Sequence, residues 1–498
     1  MKQFVLPGVV ISLLGLSACG SSSNGSAPSG TGGKGQDAAT SSTGGSSANG
    51  ETGGSTSATG GTATTGGTTA TGGGATGGVT TTGGTTGAGG ASAPDGGTDA
   101  GPPTALNCVA AYGGTATRPL LTDESAACYS IRNYLAAAGT IGALVRDDWD
   151  PSTRLLTAPS TPTYTVAADG SGTHTTVQAA IDAANTSAST SRVYILVKPG
   201  SYRELVCVKG SVAITLYGAD TDATRVVIAF DNYNSKPIDS TKVNGCAIPS
   251  ATATTYGTSG SSTFFSSALG FQAMNLTIAN DFAEGTLTSG IQAVALTVQG
   301  DQQVYQNVRL IGNQDTLQVK SPSATTVARS YFKNSYVEGD ADFIFGRGTA
   351  VFDGCTITYV SSRKTNSTHI SPSTESAHPF GFLIVNSKMV GDPGMPTGTA
   401  YLGRAWDDSS GTAPNGQAVI RDTEIGAQVN VTTPWTLAAT SSRAFSASGN
   451  RLYEYQNTGP GSAGAPADGG TVVDAAMDEP AQHDGGGSAT DGGAAAGQ

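Results

Sequence analysis

The 498-residue sequence is poor in charged and aromatic residues, and over long stretches it has almost no apolar side chains. Between Gly20 and Ala105 the only Val, Ile, Leu, Met or aromatic residue is Val79. Such a segment cannot bury enough apolar surface to offset the entropy lost on folding. Residues 459–498 are nearly as poor. We therefore expect disordered Gly/Ser/Thr-rich N- and C-terminal segments at 20–105 and 459–498, the second of them an acidic tail.

Runs of basic residues are also missing. The net charge is −12, and no cluster of Lys or Arg interrupts the remaining, mildly acidic part of the chain. Proteins that bind nucleic acids concentrate basic residues along a contact surface. We therefore expect no nucleic-acid partner.

No apolar run is long enough to span a bilayer, since the longest, Phe4–Leu16, has 13 residues. It follows Lys2 and precedes small residues, which is the pattern of a secretory signal. The segment Leu16–Gly20 contains Cys19 and resembles a bacterial lipoprotein signal, in which the Cys becomes the lipidated first residue. An ordinary signal peptide with a chance cysteine is the alternative.

On the lipoprotein hypothesis, residues 1–19 are the signal and residues 20–105 are a flexible tether. We then expect an exported protein that a lipid anchor holds at the outer membrane, with its folded part at the cell surface. Release as a secreted protein is the alternative.

Several kinds of catalytic motif are absent. No G-x-S-x-G elbow occurs, so nothing supports a serine hydrolase of that type. No H-x-x-x-H pair and no Asp-rich calcium loop occur either, and the cysteines lack the spacing of a zinc site. The sequence therefore gives little support for a metal site.

Five cysteines remain besides Cys19, and export would permit disulfides between them. Proximity in sequence alone suggests the pairs Cys108–Cys128 and Cys207–Cys246. The odd number leaves at least one thiol free or paired elsewhere.

The folded region begins with a small extension at 106–160 of mixed, partly helical structure. Within it, Thr122–Ala138 starts with a Thr cap and acidic residues, which indicates a helix. A second helix is predicted at Thr176–Asn185 from its apolar spacing.

From Arg192 onward, short segments of alternating apolar residues recur around a central Asn, Gly or Asp. These central residues are Asn275, Asn307, Asn334, Gly354, Asn386 and Asp422. Separations of 20 to 36 residues with short strands are typical of a solenoid. We predict an all-β parallel β-helix over 161–458, with a β-sandwich as the alternative.

Three polar residues of this region are separated by about one coil each, namely Gln292, Asp315 and Asp342. One turn returns the chain to within about 4.8 Å, so these side chains can stack on one outer face. Two carboxylates that close cannot easily both ionise, which divides them into an acid and a base or nucleophile. Arg404 can keep one of them anionic, and Trp406 offers a flat surface for a sugar ring.

These residues lie in motifs that resemble the pectinesterases, the pectin methylesterases of plants and plant-degrading microbes. The resemblance covers about 300 residues, and the motifs follow the family order. They are Val166–Ala184, Gly200–Glu204, Gln292–Val294, Gln314–Thr316, Asp342–Gly346, Leu402–Trp406 and Tyr453–Gly461. The extension, with Arg118–Thr122 and Asp147–Trp149, resembles the bacterial branch. The resemblance implies a right-handed parallel β-helix.

The resemblance also implies a role for each site residue. Asp342 would be the nucleophile toward the methyl-ester carbonyl of galacturonate. Asp315 would protonate the departing methanol and then activate water. Gln314 and Gln292 would donate hydrogen bonds to the oxyanion, and Arg404 would orient Asp342 and keep it ionised.

Substrate contacts are implied less sharply. Trp406 would stack against the polymer, and Phe343 is predicted to line the cleft, although either Phe343 or Phe345 can instead belong to the core. The family usually has Pro where this chain has Ala405, which puts the fixation of Trp406 in doubt.

The resulting prediction is an enzyme that de-esterifies pectin as a monomer without a cofactor. One alternative keeps the fold and carboxylates but acts on another ester or thioester, such as acyl-CoA. The other is a non-catalytic polysaccharide-binding β-helix.

Overall fold

The computed structural model describes residues 106–285, 287–408, 411–436, 446 and 449–464. The predicted signal with Cys19, the predicted tether and residues 465–498 of the predicted tail lie outside these residues. Within the described ranges, no helix is both long and apolar enough to cross a membrane.

The chain coils into a parallel β-helix, as the recurring strand pattern predicts. One face is a seven-stranded, wholly parallel sheet, to which each coil contributes one short strand. We call it the cleft sheet. Its strands are Val206–Val208, Phe264–Ser266, Leu296–Val298, Leu317–Val319, Ile344–Gly346, Thr368–Pro372 and Tyr401–Gly403.

Two further faces complete each coil, and two long strands, Gln272–Asn280 and Gln303–Ile311, run through both of them. The second face also contains Tyr164–Val166, Val193–Val197, Ile214–Gly218, Arg329–Lys333, Thr349–Asp353, Phe382–Val385, Ala418–Arg421 and Leu452–Tyr455. The third face contains Gly200–Arg203, Val226–Phe230, Tyr336–Gly339, Thr356–Tyr359, Lys388–Gly391 and Glu424–Ile425.

A column of left-handed residues forms the corner between the second and third faces. The register pairs Met274 with Gln306 and Leu276 with Val308, which places Asn275 beside Asn307. The Nδ2 of Asn307 donates to Oδ1 of Asn275 at 2.8 Å. The column comprises Asn275, Asn307, Asn334, Gly354, Asn386 and Asp422, with φ between 48° and 66°. They are the six central residues of the sequence repeat, because Asn, Asp and Gly tolerate this conformation best.

The interior is apolar and contains a stack of aromatic rings. Tyr305, Phe332 and Phe352 lie on successive coils, with centroids 4.9 and 4.8 Å apart. The helix Val177–Thr186 covers the first coils and buries Val177 and Ile181. Thr176 caps it by accepting a hydrogen bond from Ala179 N, which confirms the predicted helix.

The predicted helix at Thr122–Ala138 is only partly right. Thr122 is a cap, but the helix ends at Cys128 and a second one, Ile131–Ala136, begins after a new cap at Ser130. The segment is divided because Cys128 is bonded to Cys108 and because Ser130 provides a second N-cap. The remaining helical elements are Gly257–Gly260 and the 3₁₀ turns Pro151–Thr153 and Ala223–Arg225.

The extension otherwise consists of two antiparallel hairpins, Tyr112–Thr115 with Arg118–Leu121 and Ala137–Thr140 with Ala143–Arg146. The first hairpin extends the second face, because Leu120 pairs in parallel with Glu454 of the last coil. Arg118 donates to the Glu454 carboxylate and to the carbonyl oxygen of Gly461 at 2.7 and 2.8 Å.

The contact between Arg118 and Gly461 bears on one predicted boundary, the start of the C-terminal tail. The predicted tail starts at residue 459, but Ser462 is buried and the described chain continues to Gly464. Both suggested disulfides, Cys108–Cys128 and Cys207–Cys246, are present, and Cys355 is a buried free thiol.

The left-handed column gives a test of the fold. Asn334 is exposed at φ 49°, so its replacement tests backbone strain with little change in packing. We expect Asn334→Val to lower the free energy of unfolding by about 1–2 kcal/mol, because a branched side chain disfavours this φ. Asn334→Gly should be close to neutral. Urea unfolding of both variants measures the difference.

Ser201→Val provides the matched control, because Ser201 is exposed in an extended strand. Equal stability of the two Asn334 variants would contradict a strained corner.

Candidate active site

Two aspartates lie two residues before neighbouring strands of the cleft sheet. The backbone N–H of Asp315 donates to the carbonyl of Ala341 at 3.1 Å, and Gln314 forms a parallel bridge with Ala341. Asp315 and Asp342 therefore occupy equivalent positions one coil apart. Both have a left-handed backbone, with φ of 68° and 45°. Their side chains line the same pocket, as the 27-residue spacing predicts.

Arg404 clamps one of these aspartates. Its Nε donates to Oδ1 of Asp342 at 2.9 Å, and its Nη2 donates to Oδ2. Paired bonds of this kind fix the plane of a carboxylate. Burial alone would lower the pKa of Arg404, but the hydrogen bonds and charge of Asp342 raise it. Arg404 and Asp342 thus form an ion pair.

Thr368 adds a third donor to the same carboxylate, through its hydroxyl to Oδ1 of Asp342. Its carbonyl oxygen also accepts from the Asp342 N–H at 2.8 Å. Oδ1 therefore receives two side-chain donors and Oδ2 only one among the described residues. Oδ2 is therefore the less hydrogen-bonded oxygen of this carboxylate. Thr368 cannot be identified from the sequence, since a Thr within a strand carries no distinguishing pattern.

The other aspartate is in a different electrostatic state. Asp315 is 8% exposed, and burial is the main reason that its pKa is raised well above the ordinary value. The negative charge of Asp342 raises the pKa further, while Arg404, Gln314 and Arg363 oppose the shift. The two carboxyl groups thus divide into a proton donor and an anion.

Arg363 was not identified from the sequence. It is bound to the buried Asp340 through Nε, at 2.7 Å from Oδ2. Its charge still acts on Asp315, so it moderates the proton affinity of that carboxyl group without bonding to it.

Two glutamines complete the polar part of the pocket. Gln314 directly precedes Asp315, and its side-chain amide lowers the pKa of that carboxyl group. Gln292 lies on the previous coil, where Ala293 N donates to the carbonyl of Gln314 at 3.1 Å. The Oε1 of Gln292 is buried without a hydrogen-bond partner among the described residues. A hydrogen-bond donor on a ligand in the pocket would remove the free-energy cost of this unpaired acceptor.

The aromatic residues differ from the prediction. Phe343 is fully buried and packs 5.5 Å from the His369 ring, so its predicted contact with substrate is wrong. Phe343 follows Asp342, whose backbone is left-handed, and precedes the strand Ile344–Gly346. The inward and outward alternation of side chains along that strand therefore does not apply to Phe343. Phe345 lies within the strand and lines the pocket together with Trp406, at a centroid distance of 5.9 Å.

Trp406 is held from the backbone despite Ala405 beside it. The N–H groups of Arg404 and Trp406 donate to Ile370 and Pro372 at 3.1 and 2.9 Å. Ala405 itself is fully buried. Backbone bonding on both sides thus restrains the segment without a proline.

The pocket as a whole contains a clamped carboxylate, a carboxyl group of raised pKa, amide groups and an aromatic wall. Within the described residues, no group of three or more His, Cys, Asp or Glu side chains is arranged to hold a metal ion. The arrangement suits acyl transfer to a carboxylate with proton donation by a second carboxyl group.

Comparison with known proteins identifies the family. The sequence profile described as Pectinesterase matches residues 163–466. The chain belongs to the pectinesterase family. A pectinesterase of Ralstonia nicotianae is 46% identical over 371 residues, which cover 71% of this chain and 93% of the relative.

Solved structures agree on the right-handed parallel β-helix. A pectin methylesterase of the rice weevil has 31% identity and a TM-score of 0.60, covering 71% of this chain and all of the other. The Escherichia coli protein YbhC has 32% identity and a TM-score of 0.62, covering 70% and 96%. Its curated name is putative acyl-CoA thioester hydrolase.

The raised pKa of Asp315 predicts a pH-dependent stability. Unfolded Asp ionises near pH 4, whereas folded Asp315 stays protonated to higher pH. The folded state then binds more protons, so stability falls as pH rises from about 4 through the folded pKa. Asp315→Asn removes the ionisable group and with it this pH-dependent loss of stability. We expect the variant to gain stability relative to wild type over that window.

Urea unfolding of both proteins between pH 4 and 8 measures the effect. Asp220→Asn, at an exposed position, is the control for the loss of one carboxyl group. A constant stability difference between Asp315→Asn and wild type across the range would contradict the assignment.

Proposed function

We propose that this chain hydrolyses the methyl esters of galacturonate units in pectin, producing pectate and methanol. The observation that carries the proposal is the pairing of Arg404-bound Asp342 with the buried, proton-retaining Asp315 in one pocket. Membership of the pectinesterase family supports the same reaction.

In the first step, Oδ2 of Asp342 attacks the ester carbonyl carbon. The carbonyl oxygen becomes an oxyanion, which amide N–H groups of Gln314 and Gln292 stabilise. The C–O bond to methanol then breaks, and the proton of Asp315 goes to the departing oxygen. The product is an anhydride between Asp342 and the galacturonate carboxyl group.

In the second step, water attacks the galacturonate carbonyl of this anhydride. Asp315, now ionised, accepts a proton from the water, and the bond to Asp342 breaks. Both aspartates return to their starting protonation states, with Arg404 again binding the Asp342 carboxylate. The cycle consumes one ester and one water and yields one acid and one methanol, without a cofactor.

The location is proposed separately. The apolar run after Lys2 and the Cys19 motif support export and attachment to the outer membrane through a lipid. The long Gly-rich stretch that follows would let the enzyme, acting as a monomer, reach polymer beyond the membrane surface.

Methanol release from methyl-esterified pectin by the purified chain tests the main proposal. Release of thiol from an acyl-CoA, measured in parallel, tests the substrate class. Methanol release without thiol release is expected. The reverse result would assign the cleft to thioesters, and pectin binding with neither product would indicate a non-catalytic module.

Asp342→Asn should lower the turnover number by about 10⁴-fold or more, because an amide cannot form the covalent intermediate. Binding of pectin and the circular dichroism spectrum should be preserved. Asp220→Asn again serves as the control for the loss of one negative charge. Near-normal methanol release by Asp342→Asn would exclude its role as nucleophile.

Gln292→Leu should lower the turnover number by about 10²–10³-fold while changing KM little, because it removes a donor that acts mainly on the oxyanion. Gln272→Leu, a glutamine on the second face, should retain full activity. A change in KM alone would instead assign Gln292 to ground-state binding.

A further inference from the structure

A polar network adjoins both aspartates of the pocket along the chain. We call it the Arg363 network, and its members are Glu284, Asn313, Asp340 and Arg363. Asn313 comes two residues before Asp315, and Asp340 comes two residues before Asp342. None of the four members is among the described residues that line the catalytic pocket. Any effect of the network on the reaction must therefore act through the two aspartates.

Arg363 binds the most deeply buried member of the network. Its Nε donates to Oδ2 of Asp340 at 2.7 Å, and its Nη2 donates to Oδ1. The Asp340 side chain has no exposed surface, whereas 23% of the Arg363 side chain is exposed. Burial raises the pKa of Asp340, and the hydrogen bonds and charge of Arg363 oppose this rise. Without the guanidinium, Asp340 would be a buried carboxyl group that lacks its cation.

The same guanidinium also faces a second carboxylate. Nε of Arg363 lies 3.7 Å from Oε1 of Glu284, whose side chain is 11% exposed. Both carboxylate oxygens of Glu284 in turn accept from Nδ2 of Asn313, at 2.9 and 3.1 Å. Arg363 thus connects the turn before Asp342 with the turn before Asp315 through side chains alone.

Backbone hydrogen bonds join the same two turns. The N–H of Asp340 donates to the carbonyl oxygen of Asn313 at 3.2 Å, beside the bond from Asp315 to Ala341. Asp315 and Asp342 both have a left-handed backbone. A non-glycine residue keeps such a conformation only where the surrounding contacts enforce it. The Arg363 network supplies contacts of this kind directly before each aspartate.

A third segment is attached through Tyr359. Its hydroxyl donates to the carbonyl oxygen of Asp340 and accepts from the N–H of Ser367 at 3.0 Å. Ser367 immediately precedes Thr368, whose hydroxyl donates to Asp342. The restraint on Asp340 therefore extends to the strand that holds the Asp342 carboxylate.

Arg363 acts on Asp315 by charge as well. The charged groups around Asp315 are Asp342, Arg404 and Arg363. Burial raises the pKa of Asp315 most, the charge of Asp342 raises it further, and both arginines lower it. A change of charge at Arg363 would therefore alter the proton affinity of Asp315 while leaving its direct contacts in place.

We propose that Arg363 is a positioning residue that fixes the spacing between Asp315 and Asp342 through the other members of its network. Its charge in addition helps Asp315 to release a proton. This inference rests on the proposed function, since the spacing matters where attack and proton transfer occur at one ester. A misplacement of about 1 Å can lower turnover by about 10²-fold, even when it originates away from the reacting groups.

The first test is Arg363→Gln, which removes the charge and the paired hydrogen bonds to Asp340. With methyl-esterified oligogalacturonate as substrate, we expect kcat to fall by about 10- to 100-fold and KM to change less than about threefold. The spacing of the aspartates affects the transition state more than binding of the polymer. Arg363→Lys keeps a positive charge without the planar fork, so it should restore part of the lost kcat.

The pH dependence of kcat/KM gives a readout that a purely structural role would not move. Asp315 must carry a proton in the first step, so kcat/KM falls as pH rises through the pKa of Asp315. Without the charge of Arg363 the pKa of Asp315 rises further, so this basic limb should move to higher pH in Arg363→Gln. In Arg363→Lys the limb should remain at its wild-type position.

Asn313→Ala tests the network without any change of charge. It removes the bonds between Glu284 and the turn before Asp315. We expect kcat to fall by about 3- to 30-fold, with the basic limb unchanged, because only the spacing is affected. If Arg363→Gln does not fold, the result for Asn313→Ala decides alone.

Two controls separate this effect from charge and from stability. Lys388→Met removes an ion-paired cation from the third face. Arg329→Gln removes a guanidinium that also binds two carboxylates, those of Asp147 and Asp301, but on the second face. Both variants, measured as folded protein, should keep the wild-type kcat and basic limb.

The outcomes distinguish this inference from the proposed function. If wild type releases no methanol from any pectin, the proposed function fails. If wild type is active but folded Arg363→Gln or Asn313→Ala keeps kcat within about twofold of wild type, the positioning role is overturned. An unmoved basic limb in Arg363→Gln, or an equal loss of kcat in Arg329→Gln, would overturn it as well.

Discussion

The register between successive coils is the constraint on which the rest of the structure depends. Backbone hydrogen bonds hold each strand about 4.8 Å from its equivalent in the next coil, so residues far apart in sequence become neighbours. Loops of different length can be accommodated between strands, because only the corner and strand positions need to match. The same register orders the apolar core and brings Asp342, Thr368 and Arg404 together.

The chemistry of the site follows from two unequal environments within this frame. Asp342 meets a guanidinium and a hydroxyl, whereas Asp315 lies in a drier position facing a negative charge. The difference between the two carboxyl groups comes from their neighbours and not from their residue type. Under the proposed mechanism, this fixed framework would supply the nucleophile, the proton and the oxyanion donors.

Much of this could be predicted from the sequence. The spacing of Asn275, Asn307 and the other corner residues matched the coil register, because only a few residue types suit a left-handed corner. The placement of Asp315, Asp342, Gln292 and Gln314 in one pocket was predicted from coil spacing and family resemblance.

What escaped prediction depended on local geometry. Phe343 and Phe345 share one motif, but a left-handed residue before Phe343 turns it into the core. Thr368 and Arg363 lie on a strand and a loop whose partners become apparent only in three dimensions. The division of the helix near Cys128 likewise required knowledge of a crosslink and a competing cap.

The hairpin that joins the last coil has a consequence for the whole molecule. A solenoid that stopped at Leu452–Tyr455 would present unsatisfied backbone groups to any other strand. Arg118–Leu121 covers part of this edge, and Arg118 fastens it to Glu454 and Gly461. The extension therefore covers part of a strand edge that would otherwise be open to pairing.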